Sequence, residues 1–255
     1  MGRLGAVSDV VLRSIRFPIA EVALALAVLS VVGSGGFLAT SLPPSMPRGL
    51  VEIWAATSSC GMAAFICIIL SMVCGWSFAS MVEHGELLTL LSMPVSRWLV
   101  LSVAAVGCIA VPAAIVSLCA ALAAYLYAPN PSASGIAVAA VTATALPMIV
   151  FSTVYASATI SKSRWLVVAA GFVTWIALSI AGSVLALFLR LSKPSLATAI
   201  AVACINPGTA TLLLHGAIKT SPVTVASIAS AIDWGIAIAI ALATIVIAGR
   251  RWEPV

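Results

Sequence analysis

The residues that could carry chemistry concentrate in one short segment, residues 81–97, which lies between two long apolar runs. Glu83 and Glu86 stand three residues apart, so a helix would place both carboxylates on one face. Pro94 ends that helix, because the residue before a proline is disfavoured in the helical region. The rest of the helix is rich in leucine, with an apolar ridge formed by Leu87, Leu88, Leu90 and Leu91. This pattern predicts a helix that docks in an apolar groove of another protein, with a plain solvated loop as the alternative.

The sequence lacks the residue combinations of common catalytic and metal sites. The two histidines, His84 and His215, are predicted on opposite sides of a membrane and cannot share a metal ion. No Gly-Lys pair occurs, so the chain has no phosphate-binding loop with which to hydrolyse ATP. The six cysteines form no CxxC pair and fit small buried packing residues. We expect no catalytic residue, no metal site and no cofactor bound by this chain.

The composition is that of a protein embedded in a bilayer. The 255 residues are 63% hydrophobic and 7% charged, with a mean hydropathy of +1.23. Soluble domains carry roughly 25% charged residues, so this chain cannot cover a water-facing surface. We predict an all-α, polytopic membrane protein. The net charge of +5 fits basic residues at the cytoplasmic ends of spans and not a nucleic-acid interface.

The apolar runs predict one transmembrane domain that comprises residues 1–255. It begins with an amphipathic helix at residues 3–16, which we expect to lie in the membrane interface. Residues 190–230 contain two apolar pieces too short to cross, which we expect to be re-entrant helices on the outer side. Six transmembrane helices are predicted, at about residues 17–39, 53–79, 97–127, 135–160, 165–189 and 231–249.

The basic residues predict the orientation, because cytoplasmic segments carry an excess of lysine and arginine. With six spans and a cytoplasmic N-terminus, the inner side holds Arg3, Arg13, Arg16, Arg97, Lys162, Arg164, Arg250 and Arg251. The outer side holds Arg48, Arg190, Lys193 and Lys219. This asymmetry predicts a plasma-membrane protein with both termini and the segment 81–97 in the cytoplasm.

A five-residue sequence occurs twice, as Ser96-Arg-Trp-Leu-Val100 and as Ser163-Arg-Trp-Leu-Val167. Each copy begins a span predicted to leave the cytoplasmic side. We expect the serine to cap the helix, the arginine to reach lipid headgroups and the tryptophan to lie in the interface.

Ionisable residues are predicted to avoid the bilayer centre. Glu21, Glu52 and Asp233 all fall near the ends of predicted spans, where they would anchor the interface. Proton-driven transporters usually place acidic residues or histidine at mid-membrane. Their absence argues against a proton-driven transporter but leaves a sodium-coupled one possible.

Residues 83–97 resemble the cytoplasmic loop of the ATP-binding-cassette (ABC) type 2 permeases. In that family the loop typically contains, in order, a Glu, a spacer residue, a Gly, a leucine-rich turn, a Leu-x-x-Pro motif and a nearby Ser-Arg pair. The matched positions are Glu83, Gly85, Glu86, Pro94 and Arg97. His84 stands at a spacer position that is more often charged in the family.

The resemblance implies a permease subunit with a cytoplasmic coupling helix. A separate ABC ATPase subunit, using ATP and magnesium, would dock on the loop, and two permease chains would pair as a dimer. The family is mostly exporters, and the Ala-, Val- and Ile-rich spans fit a hydrophobic or amphiphilic cargo. The outer re-entrant region would gate its exit, with the candidate residues Asn206, Pro207, Gly208 and His215.

Two other classes of function stay open on the sequence alone. An ion-coupled secondary transporter would work without a partner ATPase. A membrane scaffold or assembly factor would move no substrate under any energy source.

Overall fold

The computed structural model describes residues 17–34, 47–84, 96–161, 163–192, 194–217 and 221–251. The predicted interfacial helix 3–16 lies outside these residues. So does most of the predicted docking segment, namely Gly85, Glu86, Leu87, Leu88, Leu90, Leu91 and Pro94. The described residues are helical throughout, apart from short turns, and contain no strand. The predicted all-α class is therefore confirmed for them.

The described residues form nine helices, one of which carries an internal π-helical stretch. This stretch, Val106–Ala110, stands just before Pro112, whose ring and missing N–H disturb the regular helical hydrogen bonds. In chain order the helices are α1 Phe17–Gly33, α2 Arg48–Ser59, α3 Gly61–Glu83, α4 Arg97–Tyr127, α5 Ala133–Ile160, α6 Arg164–Ser192, α7 Leu196–Ala203, α8 Pro207–Leu213 and α9 Pro222–Arg251.

Five of these helices, α3, α4, α5, α6 and α9, are long and apolar enough to cross a membrane. The shortest of them, α3, has 23 residues, and a helix needs about 20 residues to cross. The chain is thus built as a multi-pass membrane protein. The first of the six predicted spans corresponds to α1, which has 17 residues and is followed by a stretch outside the described residues.

Two predicted spans begin elsewhere in the structure. The span expected at 53–79 is divided at Cys60, where the helix α2 ends and α3 begins with Gly61. The span expected at 231–249 begins at Pro222, nine residues earlier. The Ser221 carbonyl accepts the first helical bonds, from the N–H groups of Thr224 and Val225. Proline is well suited to a first helical position, because its missing N–H has no helical partner there.

Helix α5 is the centre of the bundle and packs against α3, α4, α6 and α9. Its two largest buried side chains, Phe151 and Tyr155, are fully inaccessible. The Tyr155 hydroxyl donates to the Leu101 carbonyl of α4 at 3.0 Å, which satisfies its polar atom inside the core. Helix α6 lies at the edge, with Val173 65% and Phe188 67% exposed. That outward apolar surface suits contact with lipid.

Contacts between helix ends define two ends of the bundle. The loop end contains the C-termini of α3, α5 and α9 and the N-termini of α4 and α6. The hairpin end contains α2, the short helices α7 and α8, and the N-termini of α5 and α9. Here the Gly49 backbone lies against Val223, and the Tyr127 hydroxyl donates to the Val31 carbonyl at 2.9 Å.

Candidate functional site

At the loop end, an ion pair joins the end of α3 to the start of α6. Arg164 Nε lies 2.8 Å from Glu83 Oε2, and the side chains are 33% and 44% exposed respectively. The Arg164 guanidinium also lies over the Trp76 ring, 5.5 Å from its centroid. Trp165 packs edge-on against the same ring. This cluster holds α3 and α6 together at the point where the chain enters the segment 85–95.

At the C-terminal end of that segment, the chain contacts α9. Arg97 Nη1 donates to the Gly249 carbonyl at 3.3 Å. A carbonyl near a helix C-terminus favours a cationic donor, because the helix dipole is negative there. The Trp98 ring covers Gly249 so closely that a Cβ on residue 249 would lie 2.7 Å from it. Helix α4 therefore begins in direct contact with the last turns of α9.

The two copies of the repeated sequence thus make the same kind of contact. Arg97 and Arg164 each begin one helix and bind the C-terminal end of another. Each arginine thus has a protein partner that the sequence did not predict, and the expectation that both reach lipid headgroups stays a prediction. The predicted serine cap is confirmed for the first copy, where Ser96 Oγ accepts from Leu99 N at 3.3 Å.

His84, whose role the sequence left open, caps α3. Its Nδ1–H donates to the Ser80 carbonyl at 2.7 Å. The same carbonyl also accepts from the His84 backbone N–H at 3.0 Å, so the imidazole is a second donor to it at the end of the helix. Of the predicted docking residues, the structure places Glu83 and Arg97 at the loop end and describes none of those between them.

An apolar groove runs between α3 and α6, adjacent to the Trp76 cluster. Its volume is about 470 Å³, and its lining includes Met72, Trp76 and Phe172. Two of the lining side chains, those of Trp76 and Ser77, carry a polar atom, and the others are apolar. A groove of this size and polarity fits an acyl chain or another apolar group.

At the hairpin end, the predicted gate residues 206–208 form a tightly packed turn. Asn206 Oδ1 accepts from Thr209 N at 3.3 Å and caps α8. A Cβ on Gly182 of α6 would lie 2.5 Å from the Asn206 Cβ, and one on Gly208 would overlap Thr57. Pro207 occupies the first position of α8. His215 follows α8, and its Nδ1 atom is buried without a hydrogen-bond partner.

Glu52, predicted to be an interfacial anchor, is a buried cap for α5. The side chain is 4% exposed, and its Oε1 accepts from Ser132 N at 2.8 Å and from Ser132 Oγ at 3.1 Å. Ser132 Oγ in turn accepts from Gly135 N at 3.0 Å. A Cβ on Gly135 would overlap the carboxylate. The negative charge lies at the positive end of the α5 dipole, which stabilises it.

Asp233, predicted near a span end, lies inside α9 and is completely buried. Neither of its carboxylate oxygens has a hydrogen-bond partner. The neighbouring polar groups are engaged elsewhere: Ser230 Oγ donates to Thr142 Oγ1 at 3.3 Å, and Trp234 Nε1 donates to the Val141 carbonyl at 3.3 Å. The prediction that Asp233 lies near the end of its span was therefore wrong, because α9 begins at Pro222 and places the aspartate inside the helix.

Sequence reasoning missed the roles of both buried acids. For Asp233 the signal was present, since Ser221-Pro222 is a typical helix start and would have placed the aspartate well inside α9. No local pattern links Glu52 to Ser132, 80 positions later in the chain. In the described residues, no group of three His, Cys, Asp or Glu side chains is arranged to hold a metal ion.

Comparison with known proteins returned no relative. No protein family, no curated protein and no solved structure matches this chain.

Proposed function

We propose that this chain is the membrane-spanning permease subunit of an ATP-driven transporter, most simply an exporter. A separate ABC ATPase docks on the cytoplasmic segment 81–97 and supplies the energy. The chain crosses the plasma membrane six times, with α1 as the first span, and pairs with a second permease chain. In this proposal both termini are cytoplasmic and the hairpin end faces outward.

The observation that carries the proposal is the way the docking segment is flanked. Glu83 at its start is paired with Arg164 of α6, and Arg97 at its end binds Gly249 of α9. A displacement of the segment would therefore pull on α3 and α4 directly and on α6 and α9 through these contacts. Four of the five span-length helices are thereby connected to one loop, which suits a segment that receives motion from outside the chain.

The cargo class follows from the groove between α3 and α6. Its lining is almost entirely apolar and comes from α3 and α6, with Met72 and Phe172 among the contributing residues. Apolar cargo would enter it without desolvating polar groups, whereas sugars or ions would lose their hydration there. We therefore propose a hydrophobic or amphiphilic substrate.

The test is affinity purification of the tagged chain from its own cells in mild detergent. We expect an ATPase with a phosphate-binding loop to co-purify and to hydrolyse ATP in the complex. The double variant Leu90→Asp, Leu91→Asp should lose the partner, because the leucine ridge provides the buried contact area. Leu191→Asp is the matched control, since this leucine is 82% exposed at the opposite end of α6.

The control variant should retain the partner at the wild-type level. The proposal is contradicted if the wild-type chain yields no ATPase, or if the double variant retains it.

A second candidate, an ion-coupled secondary transporter, is favoured by the buried Asp233. Acidic residues inside the apolar part of a membrane protein mark ion pathways more often than structural sites. Such a transporter needs no ATPase subunit. The same purification therefore separates the two candidates.

A further inference from the structure

We propose that Asp233 is a proton-binding site, held as a neutral carboxylic acid between α9, α5 and the turn that joins α7 to α8. This inference stands independently of the ATPase partner. It concerns a ligand, the proton, and a site that the docking proposal does not use.

The position of Asp233 places it deep in the apolar part of the chain. It follows Pro222 by 11 residues in a helix of 30, which puts it about 17 Å from the start of a helix about 45 Å long at 1.5 Å per residue. The buried face of α9 on which it lies otherwise contains small residues, including Ala226, Ala229 and Ala237. Water has no access to the carboxyl group, because its exposed fraction is 0%.

The ionisable groups on the packed elements do not compensate a charge there. Helices α7 and α8 contain none; Cys204 follows α7 and His215 follows α8. On α5, Tyr155 donates to Leu101, and on α2, Glu52 is bound to Ser132. On α4, Arg97 binds Gly249, which lies 16 residues beyond Asp233 or about 24 Å along α9. The side chain of Arg48, at the start of α2, lies outside the description.

An ionised carboxylate in this site would lack both water and hydrogen-bond donors. The free energy of burying such an unpaired charge is large, and a buried group usually becomes neutral instead. A proton removes the charge without needing additional space. A metal cation would need several oxygen ligands, whereas the Ser230 and Thr142 hydroxyls beside the aspartate already bond to each other. The proton is therefore the ligand that fits.

The site is coupled to the α7–α8 turn. Both α7 and α8 pack against α9. Burial raises the pKa of the Cys204 thiol, and ionisation of Asp233 would raise it further, so the two side chains lie within electrostatic reach. Any movement of this turn that admits water would stabilise the carboxylate and release the proton. Conversely, the bound proton favours the packed state in which α7 and α8 lie against α9.

A spectroscopic test uses the scarcity of aspartate. Asp9 and Asp233 are the two aspartates in the sequence, so ¹³C labelling of aspartate carboxyl groups gives two signals in NMR spectra of the micelle-bound chain. We expect one signal to titrate near the ordinary aspartate pKa of about 3.9. The other should report a protonated acid at neutral pH and disappear in Asp233→Asn. Two ionised carboxylates at neutral pH would overturn the proposal.

A stability test gives a second, independent readout. Folded Asp233 keeps its proton at pH values where the unfolded chain has released it, so folding takes up a proton and rising pH destabilises the wild type. Asp233→Asn cannot ionise. The difference in Tm between Asp233→Asn and the wild type should therefore grow as the pH rises. We expect roughly 3–5 °C for each pH unit over which the folded wild type holds the proton and the unfolded chain has released it.

The matched control is Glu21→Gln, which alters an exposed carboxyl on α1 and should follow the wild type at every pH. The Tm measurements are repeated with sodium chloride and with choline chloride. We expect equal values in the two salts. A sodium-specific stabilisation that Asp233→Asn abolishes would overturn the proton as the ligand, and a pH-independent Tm difference would overturn titration of the site.

Discussion

Glu52 and Asp233 are both buried acids toward the hairpin end, yet their surroundings are opposite. Glu52 receives two hydrogen bonds from Ser132 and lies at the positive end of a helix dipole. Asp233 receives none. The difference separates two uses of a carboxyl group in an apolar interior. With donors and a dipole it can stabilise the fold as an anion, and without them it is suited to binding a proton.

The loop end provides a third case, in which charge is paired but exposed. Glu83 and Arg164 are partly open to solvent, so water competes with their attraction. We infer that this pair aligns helix ends more than it adds stability. Substitutions of the three acids should therefore change the free energy of unfolding by different amounts.

The largest loss of stability is expected for Glu52→Ala. The substitution removes the acceptor of both the Ser132 N–H and the Ser132 hydroxyl, and it removes a charge from the start of α5. We expect a loss of about 2–4 kcal/mol in the free energy of unfolding. Unfolding in mixed micelles, followed by circular dichroism, measures it. Glu52→Gln keeps one acceptor and should lose about half as much.

A second variant checks that this effect belongs to the cap. Gly135→Ala leaves Glu52 in place but puts a Cβ where the carboxylate lies, and it should cost about 1–3 kcal/mol through overpacking. The control is Gly235→Ala in α9, where an added Cβ meets nothing within 4 Å. Alanine there should be neutral or stabilising, by up to about 1 kcal/mol. If Glu52→Ala and the control are equally stable, the capping account is wrong.

The smallest effect is expected for the Glu83–Arg164 pair. A double-mutant cycle with Glu83→Gln and Arg164→Gln should give a coupling energy of about 0.2–1 kcal/mol, because both side chains are partly solvated. The same unfolding assay measures the four proteins of the cycle. A coupling above about 2 kcal/mol would contradict the interpretation of the pair as an alignment contact.

The sequence predicted the features that depend on local chemistry. The helical class, the short helices α7 and α8 and the Ser96 cap follow from hydropathy, helix-breaking residues and capping preferences. Partners distant in the chain were not predictable, because Arg97 with Gly249 and Glu52 with Ser132 are brought together by packing alone. The misplacement of Asp233 had a local cause, since the apolar pattern assigns residues 221–230 to the outer re-entrant region although Pro222 begins α9 there.

The central claim is that the loop end faces the cytoplasm and the hairpin end faces outward. Single cysteines at Ser92 and at Ser221, introduced in a Cys204→Ser background, test it by labelling with a membrane-impermeant maleimide in intact cells. Ser221 is exposed at the start of α9, and the five remaining native cysteines are buried. We predict that Ser221→Cys is labelled in intact cells and Ser92→Cys only after permeabilisation. Labelling of Ser92→Cys in intact cells would contradict the claim, because an outward-facing loop cannot meet a cytoplasmic ATPase.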